Sequence, residues 1–82
     1  MLPRNEVELT KGEAMEYLVI LEEGGTSVGA YVPDLPGCVA VGESKAEALQ
    51  LIREAIELHI DSLRENGEPV PVPHSFVERV AV

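Results

Sequence analysis

From Met15 onward the chain alternates between short apolar runs and clusters of turn-forming residues. Glu16-Tyr17-Leu18-Val19-Ile20-Leu21-Glu22 is rich in aromatic and β-branched residues, as strands are. Its near-continuous apolar character predicts a central strand covered on both faces. Glu23-Gly24-Gly25-Thr26 predicts a turn, with glycines free to take positive φ. Ser27-Val28-Gly29-Ala30-Tyr31-Val32 is then the returning strand of a hairpin. Pro33-Asp34-Leu35-Pro36-Gly37 interrupts the ladder, because neither proline can donate a backbone hydrogen bond. Cys38-Val39-Ala40-Val41 predicts a short third strand ended by Gly42, which completes a three-stranded antiparallel meander.

Periodicity then changes from two to 3.6. Ser44-Lys45-Ala46-Glu47 is a capping box: the serine oxygen is expected to accept the Glu47 amide, and Glu47 to reach back to the Ser44 amide. Good helix formers follow without an interior Gly or Pro, until Asn66-Gly67 offers a left-handed cap. Pro69, Pro71 and Pro73 make residues 68–74 a stiff extended connector. Residues 75–82 predict a final strand, with Phe76, Glu78, Val80 and Val82 on one face and Val77, Arg79 and Ala81 on the other. The order β-β-β-α-β gives an α+β fold, one long helix packed on the meander and then a C-terminal strand. Residues 15–82 form the domain. Residues 1–14 are an extension that supplies at best a short edge strand around Val7 and Leu9. Because the strong pattern opens at Met15, that residue is a candidate natural start, which would make the extension an upstream-start artefact.

On a helical wheel Leu49, Ile52, Ile56, Ile60 and Leu63 form one stripe, enough to pack the helix on the sheet. Leu51 and Leu58 lie well away from its centre, joined to it through Ala48, Ala55 and His59. The apolar arc is roughly 200° wide, where a one-sided helix needs about 100°. A second contact is therefore expected, and Leu51, Ala55, Leu58 and His59 are its predicted residues, in an oligomer or partner interface. The opposite face carries Glu47, Glu54, Glu57, Asp61 and Glu65, relieved by Arg53 and Arg64. Glu57–Asp61 and Asp61–Glu65 are like-charged i,i+4 pairs, a mild cost that a basic partner would relieve.

Composition narrows the function classes. Eighty-two residues make one small domain, and 45% hydrophobic with 26% charged residues is a globular composition. No apolar run approaches the roughly 20 residues of a membrane span, and the N-terminus lacks a signal core, so a cytoplasmic protein is expected. A single cysteine excludes an internal disulfide. Packing alone is marginal at this length, and oligomerisation is the usual remedy, so a homo-oligomer, dimer or tetramer, is expected. Six Lys+Arg against fifteen Asp+Glu give a formal charge of −9 with no basic cluster. That argues against direct nucleic-acid binding by this chain alone and favours capture of basic partners.

Little in the sequence points to catalysis. Cys38 lacks the basic neighbours that lower a thiol pKa and reads as a buried structural cysteine. His59 flanks the apolar arc, His74 follows the prolines, and Ser44 has a capping role. No phosphate loop, dinucleotide glycine pattern or nucleophile elbow occurs. Asp34, Glu22, Glu23 and Glu43 could in principle combine into a two-metal carboxylate site, but Asp34 between prolines is more simply a turn former. No catalytic residue, metal or cofactor is expected.

The strings Tyr17-Leu18-Val19-Ile20, Gly29-Ala30-Tyr31-Val32-Pro33-Asp34-Leu35-Pro36-Gly37-Cys38, Gly42-Glu43-Ser44-Lys45-Ala46-Glu47-Ala48-Leu49, Ala55-Ile56 and Asn66-Gly67-Glu68-Pro69-Val70-Pro71 resemble the HicB family of antitoxins, over most of residues 15–74. The resemblance implies an incomplete ribonuclease H-like fold and a type II toxin–antitoxin role. In that family the antitoxin binds and inhibits HicA, a small basic mRNA-cleaving toxin, by covering its RNA-binding and catalytic surface. Many members append a DNA-binding domain; this chain is expected to be a short form without one, so operator binding by this chain alone is not expected. A ribonuclease H-like architecture does not carry activity with it. Two alternatives stand beside the antitoxin: an orphan homo-oligomeric interaction domain without a toxin, and a weak metal-dependent ribonuclease.

Overall fold

A computed structural model describes residues 15–82. The predicted extension 1–14, with its possible edge strand, lies outside the described residues. Strands β1 (Ile20–Glu23), β2 (Val28–Tyr31) and β3 (Val39–Gly42) precede one helix, α1 (Lys45–Glu65). The sheet order is β1-β2-β3, with both pairings antiparallel. The meander is as expected. The place of its first strand is not: β1 is an edge and β2 is central, and residues 16–19 lie outside the ladder. The apolar character of that segment has another cause. Tyr17, Val19 and Leu21 pack against the core from the edge.

Register explains which residues the helix covers. Leu21, Ala30 and Ala40 form one row across the sheet, and Val28 stands opposite Gly42. Val28, Ala30 and Val32 are buried on this face, with Leu35 and Cys38 from the connection and Ala48 and Ile52 from α1. The other face carries the rows Ile20–Tyr31–Val39 and Glu22–Gly29–Val41, and Tyr31, Val39 and Val41 are exposed there. The helix packs over β3 and β2. Leu35 and Ile52 are the largest fully buried side chains, each contributing about 1.5–3 kcal/mol by leaving water.

Local chemistry fixes the helix ends. The Ser44 hydroxyl accepts the Glu47 amide at 3.1 Å. The reciprocal bond lands one residue earlier than a standard capping box puts it, the Glu43 amide donating to Glu47 Oε1 at 2.6 Å. At the other end Gly67, with φ +69, donates to the Arg64 carbonyl, and Glu68 donates to the Leu63 carbonyl. These two bonds are a Schellman cap.

The stripe expected to seat the helix does so except at its first member: Ile52 is buried, Ile56 packs against the core, and Ile60 and Leu63 are half-buried. Ala48 and Ile52 face the sheet, whereas Leu49 is 46% exposed. The reason lies at the junction with β3. A Cβ built on Gly42 would stand 2.7 Å from the Ala48 nitrogen, so the first helical turn sits almost in contact with the strand's backbone. Ala48 sets the approach at the helix start, and Ile52, one turn on, is buried on the same side. Left-handed φ, expected in the first hairpin turn, is found among the described glycines only at Gly37 and Gly67. The hairpin closes instead through the Gly24 amide donating to the Ser27 carbonyl.

The predicted C-terminal strand is absent. Residues 68–82 form neither helix nor strand, and the fourth strand of a ribonuclease H-like sheet is missing among the described residues. Pro71, Pro73 and Ser75 are half-buried and alternate with exposed Val72, His74 and Phe76, so the segment lies extended against the domain. Its prolines have no amide to donate to a ladder. Beyond Ser75 the side chains are exposed, and residues that order no partner leave backbone entropy uncompensated.

Candidate interaction surface

The connection between β2 and β3 positions the chemistry of this domain. Leu35-Pro36-Gly37-Cys38 is a tight turn in which the Cys38 amide donates to the Leu35 carbonyl at 3.0 Å. Proline stands at its second position and Gly37, with φ +85, at its third, as a type II turn requires. A preceding turn, closed by the Leu35 amide on the Val32 carbonyl, places Asp34 at its third position. Asp34 is thus a turn residue, as expected, but its side chain is buried at 4% exposure.

That carboxylate is fully engaged. Oδ2 accepts the backbone amides of His74 and Ser75, each at 2.9 Å, and Oδ1 accepts the Ser75 hydroxyl at 2.6 Å. His74 Nε2 lies 3.0 Å from Oδ1, on a side chain otherwise open to water. The Ser75 hydroxyl above all, then the His74 and Ser75 amides and the nearby imidazole, hold the Asp34 pKa below the ordinary aspartate value; desolvation opposes them. A second tie lies beside it, where the Tyr17 hydroxyl donates to the Pro71 carbonyl. Burial, followed by the negative charge of Asp34, raises the Tyr17 pKa, which keeps the phenol a donor; Arg64 acts in the opposite sense. A carboxylate in β2–β3 and a phenol ahead of β1 thereby clamp residues 71–75. Among the described residues no group of three or more His, Cys, Asp or Glu side chains is arranged to hold a metal ion. Cys38 is buried, and its thiol pKa is raised by that burial, the opposite of what a nucleophile needs.

The flank of α1 carries the second feature. An open groove of about 310 Å³ runs between the entrance of β3 and α1, lined by Gly37, Cys38, Val39, Ala55, Leu58 and His59. Three of the four residues predicted for an interface, Ala55, Leu58 and His59, come together here. Leu51 does not line the groove and is itself half-buried. Leu58 is 70% exposed, a large apolar side chain at the groove's rim. The acidic residues Glu47, Glu54, Glu57, Asp61 and Glu65 are all exposed along α1, and Gln50 donates to Glu54 across one turn. The role of Asp34 as a clamp was missed from sequence, since its partners lie 40 and 41 residues away. Only the unexplained polar pair His74-Ser75 after a proline run hints at it.

A family model described as HicB-like antitoxin of bacterial toxin–antitoxin system matches residues 17–81. The chain belongs to the HicB-like antitoxin family. A UPF0150 protein of Thermoplasma acidophilum is 46% identical to this HicB-like chain over 59 residues, covering 70% of the chain and 84% of the relative. A UPF0150 protein of Synechocystis is 38% identical over 77 residues, covering 90% of the chain and 95% of the relative. Among solved structures, the crystal structure of the N-terminal domain of the Burkholderia pseudomallei antitoxin HicB matches with a TM-score of 0.63 at 36% identity, covering 71% of this chain and 69% of that one. The α+β meander-and-helix architecture is therefore that of a HicB N-terminal domain. No helix among the described residues is long and apolar enough to cross a membrane.

Proposed function

We propose that this HicB-like chain is an antitoxin-type binding module that neutralises a small, basic, HicA-like mRNA-cleaving toxin by covering its RNA-binding and catalytic surface. Membership of the antitoxin family is the observation that carries this reading. The formal charge of −9 supports it. A surface that binds RNA is itself cationic, and an acidic domain competes for it through the same electrostatics. Exposed carboxylates on α1 steer the encounter, and the apolar rim beside them supplies contacts that exclude water. Inhibition of this kind is steric and needs no reaction at the antitoxin.

Leu51, Ala55, Leu58 and His59 are proposed as interface residues, toward toxin or toward a second subunit of a dimer or tetramer. Each buried leucine would contribute about 1.5–3 kcal/mol, so Leu51→Glu with Leu58→Glu should weaken the complex at least roughly 100-fold.

The test is recovery of the tagged chain from its source cell. A small basic protein co-purifying in stoichiometric amount, whose RNA cleavage the added chain suppresses, is the expected result. Recovery of the bait alone as a defined oligomer would refute the toxin-binding reading in favour of an orphan interaction domain. If the double glutamate variant keeps both its oligomer mass and its partner, the residue assignment fails.

A further inference from the structure

The clamp on residues 71–75 releases a C-terminal arm, residues 76–82, whose side chains have no place in their own domain. Phe76, the sole phenylalanine of the chain, is 78% exposed and Val80 is 80% exposed; Val77 and Val82 are exposed as well. Alternation puts Phe76, Glu78, Val80 and Val82 on one side, three of the four apolar, a pattern suited to a strand laid against a largely apolar surface. Although Asp34 holds Ser75 at the β2–β3 connection, the arm pairs with neither edge of its own sheet.

The matching vacancy is β3. Among the described residues it is hydrogen-bonded to β2 alone, so its outer edge presents unpaired amides and carbonyls. Edges are normally protected by charged residues, proline or a covering element. Here Val39-Ala40-Val41-Gly42 contains neither charge nor proline, and both valines are 64% exposed. The other edge, β1, ends in Glu22-Glu23. Charge separates the two. In a chain of net −9, β3 is uncharged and the arm carries one glutamate against one arginine. Two acidic chains can therefore meet arm to β3 without opposing like charges.

We propose that the arm of one chain adds as a fourth strand to the β3 edge of a second copy, and that the exchange is reciprocal. Phe76 enters the apolar groove at the entrance of β3, beside Val39, Ala55 and Leu58, the position its ring reaches at the arm's start. At about 3.3 Å per residue the seven-residue arm amply spans the four residues of β3. A two-fold exchange counts each contact twice, which is how short arms reach the roughly 1,200–2,000 Å² of a specific interface. The proposal does not rest on the toxin-binding reading.

Sedimentation equilibrium of three chains tests it: the full chain, a chain ending at Ser75, and Val41→Lys, which puts a cation in the middle of the edge. The full chain should have the mass of two or more copies, and each variant should be monomeric with an unchanged circular dichroism spectrum. The arm-less chain retains an intact edge and Val41→Lys retains an intact arm. Mixing the two should restore a species of dimer mass, held by one exchanged arm. A monomeric full chain, an arm-less chain that keeps its oligomer mass, or a mixture that stays monomeric at its highest soluble concentration overturns the proposal. Binding of the arm by a different protein, with the full chain monomeric when alone, overturns it too.

Discussion

Replacing Gly42 by alanine isolates the contact that orients the helix. The added Cβ would stand 2.7 Å from the Ala48 nitrogen and 3.0 Å from both the Ala48 Cα and the Glu47 carbonyl carbon. These are backbone atoms of the first helical turn and cannot rotate aside. The helix start must lift from β3, loosening Ala48 and Ile52, or the strand must bend. Overpacking of this kind costs about 1–3 kcal/mol. Alanine also narrows the unfolded ensemble, which offsets about 0.4–1 kcal/mol. A domain of this length has about 4–12 kcal/mol in total, and each kcal/mol moves its melting midpoint by about 4–8 °C. A net loss near 1–2 kcal/mol should therefore lower Tm by roughly 4–16 °C. Gly29→Ala is the control, in the same sheet but with its nearest neighbour, the Glu22 carbonyl oxygen, 3.9 Å away. Its Tm should stay level or rise slightly. Thermal denaturation followed by circular dichroism, with all chains at one concentration because oligomerisation shifts Tm, decides the matter. If Gly42→Ala melts together with Gly29→Ala, close approach of helix and strand does not set the packing.

Other consequences are separately measurable. Ile52→Ala, at a fully buried position, should cost about 2–5 kcal/mol in urea denaturation, while Leu49→Ala, from the stripe first expected to face the sheet, should cost no more than about 1 kcal/mol; equal losses would return Leu49 to the buried side. Asp34→Asn removes the charge that the Ser75 hydroxyl and the two amides stabilise, so deuterium uptake over residues 71–75 should rise sharply at neutral pH while uptake in α1 changes little. Because the folded-state pKa of Asp34 is lowered, the native clamp is fully present above the ordinary aspartate value of about 3.9 and is lost as pH falls through the lowered value. Exchange corrected for its intrinsic pH dependence should show residues 71–75 opening only below about pH 4, and opening already between pH 5 and 7 would refute Asp34 as the controlling group.

What the sequence revealed follows the range of the interactions involved. The Ser44 cap, the Asn66-Gly67 stop and the break in the ladder over residues 33–37 depend on neighbours within a few positions, and residue type alone identified them. The shift of the reciprocal cap bond to the Glu43 amide is a matter of local torsion that residue types do not encode. The wheel placed Ile52 and Ile56 on the buried side but also Leu49, because it weights large apolar residues, whereas the approach at the helix start is set by Gly42 against Ala48, where size matters by its absence. The strand expected at 75–82 has the right alternation, but alternation describes a face and not a partner. Among the described residues the Ser75 amide is paired, to a carboxylate 41 residues back, and no ladder pairs the rest. Of the four residues proposed for an interface, Ala55, Leu58 and His59 line one groove because they share a helix flank. Leu51, two turns from Leu58, lies beyond the groove.

The same geometry bears on why such a domain would act by contact. Four of the side chains that might have carried chemistry are engaged in the fold. Both oxygens of Asp34 hold the C-terminal segment, Ser44 caps α1, Cys38 is buried with its thiol held protonated, and Tyr17 donates to a carbonyl. The surfaces left accessible are of two kinds, an acidic helix face and apolar patches at the groove, the β3 edge and the arm. Electrostatic surfaces mainly set how fast and how selectively partners meet, and apolar contact mainly sets how long they stay. On α1 the acidic face and the groove lie beside each other, the arrangement that the proposed capture of a basic partner would use. Gly42 lets the first helical turn sit against β3 at Ala48, while Leu58, further along the same helix, stands 70% exposed at the groove.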